Sequence, residues 1–292
     1  MKRALFLMLA LSMVLVFVSC NGGGGEPKAT EDPKETKSSA TPTPDPTASP
    51  TPEPTEDPTK TSEPPEGYDE TVEVPKADIF DALIKDGTVT DQSENSLTVT
   101  NVNEAVVTKD DSIGKDVIDL YSEDRAFFAV FNFDTEYDKL ADGFTFETSV
   151  NLNSPNAYQV VGGNQQAGGF CIDYQPDAAN GNGALGFGVH NGTEYIKIYP
   201  EKRSEFDRYY HVVGVFDGPN VKLYINGRLI GQEELGNDMK FPPDIKYLAI
   251  GADTGVDDTG EYFLDGKISI FRLYNDSLND SQIYKLYLQS LE

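Results

Sequence analysis

The sequence has no tryptophan, only two histidines and two cysteines, and few basic residues. Its 23 Lys and Arg residues stand against 49 Asp and Glu residues, which gives a net charge of −26. Nucleic-acid binding depends on Lys and Arg contacts with phosphates, so this charge excludes a nucleic-acid partner. It also argues against electrostatic docking on anionic lipid, and it is compatible with a neutral glycan, with divalent cations or with solubility outside a cell.

The N-terminus carries the pattern of a secretory signal. Residues 1–20, MKRALFLMLALSMVLVFVSC, combine a basic start, an apolar run and a small residue before Cys20. The apolar run is short and ends at a cleavage site, which favours a signal peptide over the alternative, a transmembrane anchor. The ending FVSC resembles a bacterial lipobox, with Phe17 where leucine is more usual. The resemblance implies that Cys20 is lipidated, so that membrane contact is through this lipid only.

Lipidation of Cys20 would leave Cys171 as the one free thiol. The sequence therefore predicts no disulfide, and the strand-like surroundings of Cys171 predict a buried, small apolar side chain.

The composition of residues 21–73 predicts a disordered linker. Residues 21–72 hold 11 of the chain's 18 prolines, together with many acids and almost no apolar side chains. Such a segment cannot bury enough apolar surface to fold, and its Thr-Pro repeats favour extended polyproline II. We expect a stalk that carries the following domain away from a bacterial cell membrane and into the cell wall. Its localisation would be extracytoplasmic.

The pattern of residues 74–292 predicts one all-β domain. About a dozen short strand-like runs are separated by Gly, Asn, Asp and Pro, which is typical of an antiparallel two-sheet jelly-roll sandwich. In VKLYINGRLIG (221–231), Asn226 and Gly227 predict a two-residue hairpin turn between alternating strands. Near the end, Asn279 and Gln282 form a capping-box pattern that predicts a short C-terminal helix.

Three stretches carry a resemblance to a known family. They are YYHVVGVFDGPNVKLYINGRLIGQ (209–232), LAIGAD (248–253) and FLDGKISIFRLYNDSLNDSQI (263–283), and the opening IFDALIKDGTVTDQSENS (79–96) adds a weaker match. Together they resemble the laminin-G-like, concanavalin A-like jelly roll of bacterial surface proteins. The resemblance implies a two-sheet sandwich, a fold that hosts lectins, adhesion modules, glucanases and spacers, so the site needs a separate argument.

No stretch carries a recognisable catalytic motif, so we expect a protein that is not an enzyme. Glucanases of this fold use carboxylates spaced Glu-x-Asp-x-x-Glu on one strand. Glu136 with Asp138, and Glu205 with Asp207, lack the third acid and lie in turn-like contexts, which favours solvated loop acids. The two histidines lie in strand patterns and are expected to be structural.

One structural calcium ion is the cofactor that the sequence allows. The loop GADTGVDDTGEYFLDG (251–266) supplies Asp253 and Asp265, with Asp257, Asp258 and Glu261 between them, and calcium prefers such oxygen ligands. The family resemblance adds Asp81 and Asp91, because members often hold calcium near the junction of the first and last strands. The alternative is an acidic, solvated surface.

Tyrosines supply the candidate carbohydrate site, since no tryptophan is present. The candidate ligand-binding residues lie on adjacent middle strands and are Tyr158, Tyr174, Tyr195, Tyr199, Asp173 and Asn191, with Asn156, Gln159 and Glu194 beside them. Alternation places Tyr195 and Tyr199 on one face of their strand. The alternative is that each tyrosine is half-buried on a sandwich face without a ligand.

These features lead to three functional hypotheses. The first is a lipid-anchored, monomeric display module that binds a glycan as a lectin or adhesin. The second is a non-catalytic docking module for a surface protein, such as a partner enzyme. The third is a glycan-active hydrolase with an unfamiliar acid pair.

Overall fold

A computed structural model describes residues 63–155, 157–255 and 259–292. The predicted signal peptide, Cys20 and most of the linker lie outside these residues, as do Asn156, Asp257 and Asp258. In the described part, no helix is long and apolar enough to cross a membrane.

The described residues form strands β1–β18 and three short helices. The first nine strands are β1 Phe80–Lys85, β2 Thr88–Asp91, β3 Thr98–Val102, β4 Val106–Asp110, β5 Lys115–Leu120, β6 Phe127–Phe131, β7 Phe144–Leu152, β8 Gln159–Gly163 and β9 Phe170–Gln175. The remaining strands are β10 Ala184–His190, β11 Tyr195–Ile198, β12 Tyr209–Phe216, β13 Asn220–Ile225, β14 Arg228–Glu234, β15 Tyr247–Ile250, β16 Asp253–Thr254, β17 Gly260–Glu261 and β18 Gly266–Tyr274. The helices are α1 Tyr137–Leu140, which follows a 3₁₀ turn at Phe133–Glu136, α2 Ala178–Gly181 and α3 Asp280–Ser290.

Two antiparallel sheets form the sandwich. One has nine strands, with the path β14-β13-β12-β7-β18-β1-β2 and with β4 and β5 joined beside β18. The other has seven strands in the order β11-β10-β9-β8-β15-β6-β3. This arrangement confirms the predicted all-β jelly-roll class with one short C-terminal helix.

Aromatic side chains fill the space between the sheets. Phe144 and Phe146 of β7 contact Phe170 of β9, with ring centroids 4.6 and 5.7 Å apart. Every second residue of these strands joins the main core, so the intervening residues lie on the two outer faces of the sandwich. The outer faces are where functional side chains can meet a ligand.

The predicted hairpin and helix are both present. Asn226 and Gly227 connect β13 to β14 with φ values of 51° and 76°, as the turn requires. In α3, the Asn279 side chain accepts a hydrogen bond from the Gln282 backbone, and the Gln282 side chain accepts one from the Asn279 backbone, which confirms the capping box.

Helix α3 covers part of the outer face of the nine-stranded sheet. Ile283 and Leu286 pack there against Val213 and Val215 of β12. Residues before the predicted domain start also contact this helix. Tyr68 meets Tyr284 edge-on at 4.9 Å, so contacts with the domain begin before Val74.

Candidate functional site

The candidate site lies on the outer face of the seven-stranded sheet, at its β11 end. In β9, Ile172 points into the core, and Cys171 and Asp173 point outward. In β11, Ile196 and Ile198 face the core, so Tyr195 and Lys197 share the outer face with Asp173. Strand β10 separates the two groups.

Two glycines of β10 allow the groups to meet. Gly188 is paired with Lys197 on one side and with Cys171 on the other, and Gly186 is paired with Asp173. A Cβ atom at Gly188 would lie 2.6 Å from Lys197 Cγ, and one at Gly186 would overlap the Tyr199 ring. Because both positions lack a side chain, Lys197 and Tyr199 lie across β10 and reach Asp173.

Asp173 is the centre of the cluster and is fully buried. Its Oδ2 atom accepts hydrogen bonds from Lys197 Nζ at 2.5 Å, Tyr158 OH at 2.8 Å and Tyr199 OH at 3.1 Å. Its Oδ1 atom has no hydrogen-bond partner among the described residues. A buried carboxylate requires such compensation, so Lys197 and the two tyrosines act as a unit with Asp173.

Burial and the Asp173 charge fix the protonation of the cluster. Burial, together with the acidic neighbours Cys171 and Asp173, raises the pKa of the Tyr158 hydroxyl. Burial, followed by the same two neighbours, also raises the pKa of Tyr199. Burial opposes the charge of Lys197, but Cys171 and Asp173 outweigh it and raise the pKa of the ammonium. The tyrosines are therefore neutral donors and Lys197 is a cation near neutral pH.

Aromatic rings line the solvent side of the cluster. Lys197 Nζ lies 5.1 Å from the Tyr158 ring centroid and 5.6 Å from that of Tyr195. Tyr262 meets Tyr158 edge-on, with centroids 5.0 Å apart, and 51% of Tyr262 is exposed. Its φ of 49° is unfavourable for an aromatic residue. Gln165 fixes Tyr158 further, because its Nε2 donates to the Tyr158 hydroxyl at 3.0 Å.

The structure brings together four of the six predicted ligand-binding residues: Tyr158, Tyr195, Tyr199 and Asp173. It does not place Tyr174 with them. Alternation sends Tyr174 to the face opposite its neighbour Asp173, and it is buried in the core with its ring against Phe206.

Asn191 is also separate from the cluster and supports a turn. Its side chain accepts hydrogen bonds from the backbone of Thr193 and Glu194 and donates one to the Leu235 carbonyl. These bonds occupy its amide oxygen in holding the loop between β10 and β11. The structure therefore does not place Asn191 with the tyrosine cluster.

Sequence reasoning missed Lys197, Gln165 and Tyr262 as members of the site. Lys197 appears in the sequence as an ordinary charged residue of an edge strand. The available signal was the outward pair Gly186 and Gly188, which leaves room for side chains from the next strand. Tyr262 lay within the acidic loop that was interpreted as a calcium site.

The predicted calcium ligands have other partners in the structure. Asp81 accepts from Arg272 Nε at 2.9 Å and from Gln92 Nε2 at 3.0 Å. Asp91 accepts from three backbone amides, those of Asp81, Ser93 and Leu97. These bonds hold the two aspartates beside the first and last strands, and their role as calcium ligands stays a prediction.

The loop aspartates are also engaged. Asp265 accepts from Asn153 Nδ2 at 3.2 Å, and Asp253 accepts from the backbone amides of Gln165 and Thr254. Burial raises the pKa of Asp253 to about 7. No cluster of three or more His, Cys, Asp or Glu suited to a metal ion occurs in residues 63–155, 157–255 and 259–292. A calcium site that uses Asp257 and Asp258 stays a prediction.

Two of the acids considered for catalysis, Glu136 and Glu205, form ion pairs. Glu136 is buried, contrary to the expected solvated acid, and receives Lys139 Nζ at 2.6 Å. Glu205 pairs with Arg208 at 2.9 Å. Both histidines are buried, with the Nδ1 atom of His190 accepting from Gly192 and the Nε2 atom of His211 facing Glu147. Cys171 is a free, buried thiol, as predicted.

Comparisons with solved structures identify the fold. The binding domain of botulinum neurotoxin DC in complex with SialylT has a TM-score of 0.56 and 16% identity, covering 74% of this chain and 52% of that one. The same domain with rat synaptotagmin II has a TM-score of 0.55 and the same identity and coverage. The botulinum neurotoxin C1 binding domain gives 0.54 at 16% identity, with 74% and 52% covered.

The chain thus spans about half the length of these structures, and the likeness concerns the fold alone. No curated protein matches the sequence. The family model of the concanavalin A-like lectin/glucanases superfamily matches residues 130–284, more than half of the chain. Strands β7 to β15 and strand β18 lie inside that match, and so do the residues of the tyrosine cluster. The chain therefore belongs to the laminin-G-like family of the concanavalin A-like lectin/glucanases superfamily, as its sequence resemblance predicted.

Proposed function

We propose that this protein is a cell-surface lipoprotein whose jelly-roll domain binds a glycan without catalysis. The single observation that carries the proposal is the exposed Tyr262 ring held in an unfavourable backbone conformation beside Tyr158. Strained residues concentrate at functional sites, where the surrounding structure maintains them. Here the strain presents an aromatic face to solvent at the edge of the buried cluster.

The arrangement suits a sugar ring better than a flat apolar partner. The apolar C–H face of a sugar packs against an aromatic face, and its hydroxyl groups need polar partners nearby. Tyr262 supplies the face, and the ammonium of Lys197, whose side chain is 22% exposed, lies 5.1 Å from the centroid of the neighbouring Tyr158 ring. The hydroxyls of Tyr158 and Tyr199 are already committed to Asp173, so these residues stiffen the site rather than contact the ligand.

Two comparisons support binding over turnover. The similar solved structures are binding domains, and one of them is in complex with SialylT. Another is in complex with rat synaptotagmin II, so the same fold also accommodates a protein partner. The experiment must therefore distinguish glycan binding from the second hypothesis, a docking module for a surface protein.

A glycan array with the full chain, kept in a zwitterionic detergent, tests the proposal. We expect binding to a defined sugar class and at least a tenfold loss for Tyr262→Ala. Tyr121→Ala is the matched control, because Tyr121 is 49% exposed, close to the 51% of Tyr262, and follows β5 of the other sheet. Parallel arrays with calcium and with a chelator would detect a calcium requirement.

Silence on the array, with circular dichroism showing a folded protein, would overturn the glycan proposal and favour protein docking. Equal losses for Tyr262→Ala and Tyr121→Ala would instead remove the tyrosine cluster from the site.

Lipid anchoring of Cys20 is a separate part of the proposal. We expect the full chain to fractionate with membranes of a Gram-positive host and to be accessible to protease added outside intact cells. Cys20→Ala should abolish lipid labelling and release the protein from the membrane fraction. Retention of Cys20→Ala in the membrane would favour a transmembrane anchor at residues 1–20.

A further inference from the structure

A cavity lies on the side of the sandwich opposite the tyrosine cluster, on the outer face of the nine-stranded sheet. It encloses about 370 Å³. Its walls are the turn between β4 and β5, the bulge of β18 and the C-terminal end of α3, and its floor is formed by β7 and β12. This volume is within the range of small-molecule sites, about 300–1,000 Å³.

The floor holds a buried histidine with one unused ring nitrogen. His211 is 3% exposed, and its Nε2 atom lies 3.0 Å from Glu147 Oε1. Glu147 also accepts from Tyr274 OH at 2.6 Å. Burial works against the charge of Glu147, but His211, the charge of Arg272 and the hydrogen bond from Tyr274 together outweigh it, so the pKa of this carboxyl is lowered. An ionised carboxylate accepts only, so the proton of the imidazole is on Nε2.

The Nδ1 atom of His211 has no hydrogen-bond partner among the described residues. With the proton on Nε2, Nδ1 of a neutral ring is an acceptor, and Nδ1 of a charged ring is a donor. A hydroxyl group satisfies either state, because it both donates and accepts. Unpartnered buried polar atoms are rare in folded proteins, so this one points to a missing partner.

Hydroxyl groups of the protein surround the same cavity. Ser149 is the direct cross-strand neighbour of His211, and Ser269 lies in the bulge of β18 opposite it. The hydroxyl-bearing residues Ser149 and Ser269 therefore lie beside His211 in the lining of the cavity.

The walls add apolar surface and are held in place. The rings of Tyr209 and Tyr287 line the cavity, and the Tyr209 hydroxyl donates to Asp110 Oδ2 at 2.9 Å. Lys115 Nζ donates to the carbonyl of Ser290 at 2.9 Å, which fastens the β4–β5 turn to the end of α3. Tyrosine rings together with serine hydroxyls match a molecule that has both C–H faces and hydroxyls.

We propose that this cavity binds a small polyhydroxylated ligand, of the class of a single sugar residue or a sugar alcohol, through Ser149, Ser269 and His211. The site is independent of the tyrosine cluster, since the two lie on opposite outer faces of the sandwich.

Saturation-transfer difference NMR on the full chain tests the proposal, with glucose, galactose, N-acetylglucosamine and mannitol as separate probes. The detergent must be zwitterionic, because sugar-headed detergents would compete. We expect a signal from at least one probe, a shift of the His211 Nδ1 resonance, and at least a tenfold signal loss for Ser149→Leu. Ser269→Leu, at a partly exposed position, is the second blocking variant if Ser149→Leu does not fold.

All probes are read in the Tyr262→Ala background, which removes the ring of the tyrosine site, and Tyr121→Ala in that background is the matched control, which should leave the probe signal unchanged. Absence of signal from all four probes up to tens of millimolar would overturn the proposal. So would a response to acetate alone, which would mark an anion site at Lys115. Ser149→Leu should leave the array pattern intact, so failure here and failure of the proposed glycan site are distinguishable.

Discussion

At the scale of single residues, the candidate site depends on what surrounds one carboxylate. Asp173 is fully buried, and its compensation comes from Lys197 on β11, two strands away. The bridging is possible because Gly188 carries no side chain. Removing one partner of a buried ion pair costs far more than the pair contributes, since the remaining charge has no solvent.

Lys197→Met should therefore lower the free energy of unfolding by about 3 kcal/mol, as expected when a buried pair is broken. Asp173→Asn in the same chain should restore part of the loss. Lys222→Met is the matched control, because Lys222 pairs with Asp217 where both side chains reach solvent, at 24% and 22% exposure. That change should cost less than about 1 kcal/mol. Urea unfolding followed by circular dichroism measures both, and equal losses would contradict the argument.

At the same scale, the buried Asp253 carboxyl should make the free energy of unfolding depend on pH. Burial raises its pKa to about 7, so between about pH 4 and pH 7 the folded chain keeps a proton that the unfolded chain releases. Stability from this group is complete below pH 4 and declines as the pH rises to 7, by an amount on the order of a few kcal/mol. Asp253→Asn should flatten this part of the profile. Unfolding free energies at pH 5 and pH 8 measure it, and parallel profiles would contradict it.

At the scale of elements, short sequence patterns correctly predicted the elements that residues close together in sequence determine. The Asn226-Gly227 turn and the Asn279-Gln282 capping box depend on residues within a few positions of each other. The tyrosine site depends on strand register, which sequence does not display. Asp173 and Tyr174 were grouped although alternation must separate them. Tyr262 was missed because a contact distant in sequence, the hydrogen bond from the Val160 amide to the Tyr262 carbonyl, brings it to Tyr158.

Asn279→Ala tests the contribution of the cap to α3. Loss of the side-chain hydrogen bond to the Gln282 backbone should cost about 1 kcal/mol of unfolding free energy. Asn237→Ala, in an exposed loop, is the control and should have almost no effect. Thermal and urea unfolding measure the difference, and an unchanged stability would mean that packing alone maintains the helix end.

At the scale of the whole molecule, the two outer faces of the sandwich in the described part of the chain differ in which elements cover them. Five buried side-chain atoms lack partners in that part; Asp173 and Thr254 lie by the tyrosine cluster, and Asp119, Asn151 and His211 lie on the α3 side. The fold class followed from composition and turn spacing, because many short alternating strands have few other solutions. The sequence did not predict which outer face is left uncovered, because that depends on where α3 packs.

Tyr68→Ala tests how the N-terminal segment joins the domain. Its edge-on contact with Tyr284 should contribute about 1 kcal/mol. We expect faster amide hydrogen exchange in residues 65–73 and in α3, with the central strands unchanged. Tyr121→Ala, which changes an exposed tyrosine after β5, should leave these rates unaltered. Uniformly faster exchange throughout the domain would show instead that the contact supports the whole fold.

The contacts of residues 68–73 with α3 have a mechanical consequence. Lys285 donates to the Val72 carbonyl, Gln282 donates to the Glu73 carbonyl, and Tyr68 meets Tyr284. Tension applied through the N-terminal chain reaches these contacts before it reaches β1, and it breaks them one after another, as in peeling. Single-molecule pulling should therefore record a short, low-force extension that reverses on relaxation, ahead of the rupture of the sandwich. This segment would absorb shear on the chain before the two outer faces of the sandwich are disturbed.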